Sequence, residues 1–513
     1  MRFLLCCLFA GILYSCGTPP TGSGTTNIQL SELSIADIHA AYQAGEYTSE
    51  ALVSAYFQQM DSLDDQLNAI TYRNPKALET ARNLDAEFAK TGTLRPLHGI
   101  PLLVKDNINT AGMPTTAGAL ALQDFVPEAD AFIIKQLREA GAILIAKTNM
   151  AEWAFSAKHT DSSTGGTTRN PYGLDHVPAG SSGGTAAGVA ANLATVGLGT
   201  DTGNSIRGPS SHNALVGFRT SLGLISREGI VPLYLRNDVV GPMCRTVSDA
   251  TRVMQAMVGY DPADPITSQG KGQAPANYLD FLDAEGLQGA RIGVLRELSE
   301  VDPHPEIATL FNRAVTDLEQ LGATVIDPLE IPNFAELRRE QWCEVFKADL
   351  EQFLKTYVKK DTIATLEDIV RIGTNSSYAR ENITFSLKEA GNRYGADLTP
   401  CGDAFLDARR VAFRAAIEGV MDSLQLDAIV YPSWNHPAAR IDNFDEGYLG
   451  DNSQIICPHT GQPGFTVPMG YVSSGLPAGL QFLGRMFDEP TLIRLCYAYE
   501  QGTLHRRPPS GLD

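Results

Sequence analysis

Residues 179–211 read AGSSGGTAAGVAANLATVGLGTDTGNSIRGPSS, and the fold turns on how they are understood. Gly180, Gly183 and Gly184 surround the serine pair Ser181 and Ser182, and a run of small residues at helical length follows. A short apolar strand comes next, and then a second hydroxyl-rich turn carrying Gly203, Asn204 and Ser205 in succession. Glycines where a loop enters a helix leave backbone N–H groups pointing outward, ready to hold an anion or an oxyanion.

On the N-terminal side, HGIPLLVKDNI at 98–108 is a short apolar run opened by Gly and Pro, and it reads as a buried strand ending at Lys105. DAFIIKQLREAG, from Asp130, has an amphipathic pattern with Asp130 as N-cap and Gly141 as its close, and AILIAK after it reads as another strand. Strand, helix and strand at this spacing predict an α/β fold. Residues 30–64 carry apolar side chains at helical spacing with Gly45 as a break, which predicts two helices. The polar, Pro-rich connection 261–280 precedes GARIGVLRE, another buried strand, so it reads as an excursion rather than a domain boundary.

The composition sets limits. Of 513 residues, 43% are hydrophobic and 19% charged, as in a globular chain. Acidic residues outnumber basic ones 59 to 40, giving a net charge of −19, and the Lys and Arg are scattered. That excludes nucleic acid as a direct partner, because phosphate binding needs a concentrated positive face. Residues 1–16, MRFLLCCLFAGILYSC, put Arg2 before an apolar stretch from Phe3 to Tyr14 that is too short to span a bilayer. They resemble a bacterial lipoprotein signal, with Leu13, Tyr14 and Ser15 before Cys16, although Tyr14 is bulky for its place. Cys16 would then carry the lipid at the cell envelope, and residues 17–29 would form a tether; the alternative is an ordinary secretory signal. The five remaining cysteines, Cys244, Cys343, Cys401, Cys457 and Cys496, lie far apart without metal-ligand spacing, and buried free thiols are expected.

Three chemistries compete for the two glycine-serine loops. A phosphate-binding loop fails because no GxxxxGK[ST] occurs and GSSGG lacks a dinucleotide fingerprint. GSSGG formally fits the nucleophile elbow G-x-S-x-G with Ser182 at its centre. That motif needs a strand directly before it, and RNPYGLDHVPAG, with two prolines and two glycines, cannot be a central strand. The elbow also needs a histidine, and none of His436, His459 and His505 has a distinctive setting. The third chemistry is a serine activated by a lysine in place of histidine.

Most of the chain resembles the amidase signature family. The likeness rests on LLVKDN (102–107), AGSSGGTAAGVAA (179–191), GTDTGNSIRGPS (199–210), SREGIVPL (226–233) and GPMCRTVSDA (241–250). GQPGFTVPMG (461–470) and GLPAGLQFLG (475–484) extend it, so it runs from about residue 30 to 510. The resemblance implies one domain built on a large mixed β-sheet with helices on both faces, an amide-hydrolysing activity, and no cofactor or metal. It also implies a Ser-cisSer-Lys triad, here Ser205 as nucleophile, Ser181 as the bridging serine in a cis peptide, and Lys105 as base. The residue chemistry is consistent: lysine acts as a base only when neutral, so its reference pKa of about 10.4 must fall by roughly three units, a cost of about 4 kcal/mol. Burial behind IPLLV works in that direction.

The family's oxyanion hole maps onto the backbone N–H groups of Thr202, Gly203, Asn204 and Ser205; such donors contribute about 3–4 kcal/mol each. Asn204 stands where a second glycine is usual, and Asn tolerates positive φ well enough to keep the turn. Supporting roles fall to Asp201 and Arg207, expected as an ion pair bracing the loop, and to Ser182, either within the site or as a helix N-cap. Lys147, a second strand-end lysine, is expected as a structural contact. A small-molecule or peptide amide is the implied substrate, and residues 45–70 and EWAFSA (152–157) resemble bacterial peptide amidases. The alternatives are the A subunit of a glutamyl-tRNA amidotransferase, or a ligand-binding lipoprotein on the same scaffold. The acyl pocket is expected to draw on residues 330–400.

Overall fold

In a computed structural model, residues 28–389 and 401–512 of the chain are described. The readings of residues 1–16, of Cys16 and of most of the tether lie outside them; the described chain opens at Ile28, which packs against the main core. The strands, in chain order, begin with β1 (Ile70–Arg73), β2 (Pro101–Lys105), β3 (Ile143–Thr148), β4 (Asp161–Ser162) and β5 (Gly166–Thr167). Then come β6 (Val196–Asp201), β7 (Val216–Arg219), β8 (Val239–Cys244), β9 (Arg291–Val294) and β10 (Thr324–Ile326). The last are β11 (Ala428–Pro432), β12 (Gly464–Tyr471) and β13 (Pro477–Leu483).

All but the small β4–β5 hairpin join one mixed sheet in the order β1-β3-β2-β6-β8-β7-β12-β13-β11-β9-β10. Parallel pairing joins β3 to β2 and β2 to β6, and again β11 to β9 and β9 to β10; the remaining pairs are antiparallel. Every residue of β2, β3 and β6 is buried. Successive strand residues point to opposite faces, so helices must cover both faces of the sheet here. This explains why these strands read as continuous apolar runs rather than as alternation. β9, beyond the 261–280 connection, pairs with β11 in this same sheet.

The small-residue run forms the helix Gly183–Ala190, wholly buried. Its composition is a packing requirement: a Cβ on Gly184 would lie 2.3 Å from the Asn149 carbonyl oxygen, and one on Gly188 would lie 2.8 Å from Leu103 Cδ1. The two early helices are Ile35–Ala44 and Ser49–Leu67, with Gly45 closing the first in the left-handed region.

Two expectations need correction. Asp130 does not cap its helix, which spans Phe132–Glu139 and has Ala131 at the N-cap position. The Asp130 carboxylate instead accepts the Ala111 N–H at 2.8 Å and pairs with Arg138 at 2.9 Å, so it ties a loop to the helix. Nor are all five cysteines free. Cys343 and Cys401, 58 residues apart, form a disulfide, while Cys244, Cys457 and Cys496 are buried thiols. Among the described residues no helix is long and apolar enough to cross a membrane.

Candidate active site

Parallel strands β2 and β6 lie side by side with Val104 opposite Leu198, so Lys105, the last residue of β2, stands beside the C-terminal half of β6. Its ammonium group is wholly buried, with Nζ 2.7 Å from Ser181 Oγ, 2.8 Å from Thr200 Oγ1 and 3.4 Å from the Thr200 carbonyl oxygen. Burial pulls the amine down to about 7, against the opposing pull of the Asp201 and Asp238 carboxylates. The Gly180–Ser181 peptide bond is cis. Gly180 is obligatory at that point, because a Cβ would lie 2.3 Å from the His159 carbonyl oxygen and 2.5 Å from that of Ser156.

Lys147, at the end of β3, faces elsewhere. Its Nζ donates to the Ile108 carbonyl at 2.7 Å and to Thr115 Oγ1 at 2.9 Å, and lies 3.6 Å from Asp106. Burial pulls this amine down as well, to about 8. Partners, not basicity, distinguish the two lysines: only Lys105 touches a serine of the loops.

The turn bearing Ser205 links β6 to the short helix Arg207–His212. Asp201 organises it. One carboxylate oxygen accepts the N–H groups of Ile206 (3.1 Å) and Arg207 (3.4 Å) and the Arg207 Nε (3.1 Å). The other accepts from Arg207 Nη2 at 3.2 Å and from Arg219 Nη1 at 2.8 Å. Burial alone would raise the Asp201 pKa, but the two guanidiniums outweigh it and hold the carboxyl at about 2. Arg207 also donates to the Gly203 carbonyl at 2.6 Å, and Thr202 Oγ1 donates to Asp238 at 2.6 Å. The turn is therefore pinned through carbonyls and side chains. The backbone N–H groups of Thr202, Gly203, Asn204 and Ser205 donate to no other group among the described residues.

Neither Gly203 nor Asn204 has positive φ, so the tolerance argument made for Asn204 is not the operative one. The Asn204 amide packs beside Gly208 and donates to the Ala157 carbonyl at 3.3 Å. Ser205 Oγ lies 3.5 Å from Asn204 Oδ1, and no hydrogen bond joins it to Ser181 among the described residues. Ser182 does not cap its helix; its hydroxyl bridges the N–H and C=O of Thr200 at 3.4 and 3.2 Å.

Ser205 opens onto a cavity of about 250 Å³ whose lining includes Phe155, Tyr234, Trp342, Tyr378, Asn382 and Gln454. Among the described residues no lining side chain is charged. Trp342, Tyr378 and Asn382 come from the 330–400 region. Among the described residues no group of three or more His, Cys, Asp or Glu side chains is placed to hold a metal ion.

Fold and sequence together define an amide hydrolase of α/β architecture. The chain belongs to the amidase family, whose model, Amidase, matches residues 51–493. It is similar to a probable amidase of Arabidopsis thaliana, at 35% identity over 99% of this chain and 97% of the relative. It is also similar to the A subunit of the glutamyl-tRNA(Gln) amidotransferase of Desulforapulum autotrophicum, at 35% identity over 92% of this chain and 98% of that protein. Among solved structures, the native peptide amidase of Stenotrophomonas maltophilia superposes with a TM-score of 0.82 at 39% identity, covering 93% of this chain and 98% of that one.

Sequence reasoning passed over Thr200, Asp238 and Arg219. A findable signal existed for Thr200, which lies near the end of β6 where the neighbouring parallel strand ends in Lys105; Asp238 and Arg219 reach the turn only through the tertiary fold. Removing one member of a buried ion pair leaves the others uncompensated, at about 3–5 kcal/mol. Asp201→Asn should therefore lower the urea unfolding free energy at pH 7 by about that amount. A loss below about 1 kcal/mol would show that the carboxylate does not organise the turn.

Proposed function

We propose that this chain hydrolyses carboxylic amides through an acyl-enzyme on Ser205, with Ser181 passing the proton to Lys105. The observation that carries the reading is the buried Lys105 amine, pulled down to about 7 by burial and set 2.7 Å from Ser181 Oγ. A neutral amine has two N–H groups and a lone pair. The N–H groups are met by Thr200 Oγ1 and the Thr200 carbonyl, and the lone pair faces the Ser181 hydroxyl. Ser205 Oγ attacks the carbonyl carbon as its proton moves to Ser181, whose own proton moves to Lys105. The carbonyl oxygen becomes an oxyanion held by the free N–H groups of the 202–205 turn, fixed in advance by Asp201 and Arg207. The proton returns to the leaving nitrogen, ammonia or amine departs, and water repeats the sequence on the ester.

The uncharged, aromatic cavity favours amides of peptides or other neutral acyl groups. Free glutamine carries an ammonium and a carboxylate, and among the described residues the lining side chains offer no ionic partner to either group. This supports a peptide-amidase-like reading over a glutaminase, and the primed lysine supports a catalyst over a ligand-binding scaffold. We also propose export, with lipid attached to Cys16 and the enzyme at the cell envelope. Two features support it: the sequence of residues 1–16, and the Cys343–Cys401 disulfide, a cross-link favoured outside the reducing cytosol.

Ser205→Ala should lower kcat on a peptide amide by about a thousandfold or more with the melting temperature unchanged; near-native turnover would place the nucleophile elsewhere. The kcat/KM of the native protein should climb as pH rises through about 7, because deprotonation creates the neutral Lys105. A rate that is flat from pH 6 to 8, or falls, would rule out Lys105 as the base.

A further inference from the structure

Trp342 forms one wall of the cavity, and its ring tip leans on the turn that carries Ser205: a Cβ on Gly203 would lie 3.2 Å from Trp342 Cη2. The ring stands edge-on to His459 at 4.6 Å and tilted against Tyr234 at 6.1 Å. The backbone carrying it lies between the helices Phe334–Leu337 and Phe346–Phe353. The next residue is Cys343, whose disulfide partner Cys401 leads into the helix Ala408–Ser423.

The start of that helix is fastened in turn to the loop that holds Thr202. Asp407 pairs with Arg236 at 2.9 Å, Arg410 Nη1 donates to Asn237 Oδ1 at 2.6 Å, and the adjacent Asp238 accepts the Thr202 hydroxyl. One covalent bond thus closes a circuit from the pocket wall to the oxyanion turn. Parallel contacts exist: Arg409 pairs with Glu340 at 3.1 Å, about a third exposed on both sides, and such pairs hold little, while Phe334 packs against Phe413 well before Trp342 in the chain.

We infer that the Cys343–Cys401 disulfide is a positioning device for Trp342, and that Trp342 so held determines which acyl groups the cavity accepts; this rests on the amide-hydrolase reading of the cavity. A large aromatic wall gains its contacts only at close range, so a small displacement forfeits much of the attraction for a bulky acyl group. A small acyl group that never reaches the wall is indifferent to it. The disulfide therefore acts on discrimination and not on the chemical step.

The test compares N-acetylphenylalanine amide with propionamide. In the Cys343→Ser, Cys401→Ser double variant, KM for the aromatic amide should rise about tenfold, while kcat on propionamide stays within about twofold of native. Trp342→Ala should lower kcat/KM for the aromatic amide by about tenfold, and adding the two serine substitutions to it should change little more, because both act through one wall. Equal losses on both amides, or additive losses in the triple variant, would overturn the inference. Amide hydrogen exchange over residues 338–346 supplies a readout independent of turnover. It should speed up in the double variant while the sheet stays protected, and unchanged exchange would also overturn the inference. A native protein inactive on both amides would count against the hydrolase reading instead, leaving the exchange result to decide the role of the disulfide. Should the double variant not fold, the same comparison is made on native protein reduced with dithiothreitol, in which two electrons and two protons pass from the dithiol to the sulfur pair.

Discussion

Asp201 is buried between the guanidiniums of Arg207 and Arg219, and the geometry of the site follows from that arrangement. An isolated carboxylate in this position would be expensive to desolvate, and two cations with fitted hydrogen bonds offset the cost. The bonds do more than balance charge. They join the end of β6 to the short helix after Ser205 and to β7, and they occupy the carbonyl of Gly203 and the N–H groups of Ile206 and Arg207. What they leave over is a row of backbone donors, from Thr202 to Ser205, at the edge of a cavity. A turn that spent those donors on itself would have nothing to offer a developing negative charge.

The same dry surroundings set the state of Lys105. Low dielectric strengthens the Asp201 ion pairs and penalises the nearby lone ammonium. Asp201 and Asp238 counter that penalty, which is why the amine settles near neutrality and not far below it. Lys147 shows that burial alone does not make a base: its amine is lowered too, but a carbonyl, a threonine and Asp106 absorb it. Position beside Ser181 separates the two, and that position follows from the parallel pairing of β2 with β6.

The sequence made some of this legible and hid the rest, for physical reasons. β2, β3 and the helix Gly183–Ala190 were readable because burial on both faces leaves an apolar or small-residue run with no alternation to confuse. Lys105, Ser181 and Ser205 stood out as candidates through ordered motifs, and the Asp201–Arg207 ion pair was readable in the same way. Asp130 misled because a side chain that reads as an N-cap found better partners in Ala111 and Arg138, contacts no local pattern encodes. The Cys343–Cys401 bond was hidden because pairing depends on the fold and not on spacing. The cavity wall was legible only as a region: Trp342 and Tyr378 fall in the expected 330–400 stretch, but that they meet Phe155, Tyr234 and Gln454 is decided by the fold. Asn204 was legible as a departure, but the positive φ invoked for it does not occur; its amide packs beside Gly208 and it lines the cavity.

The proposed chemistry stands or falls on Ser205 Oγ being the atom that takes up the acyl group. Reacting the protein with a fluorophosphonate probe at pH 8 and locating the modified peptide by mass spectrometry puts that to trial. A single adduct on Ser205 is expected; an adduct on Ser182, with Ser205 unmodified, would contradict the mechanism and return the nucleophile-elbow reading of GSSGG.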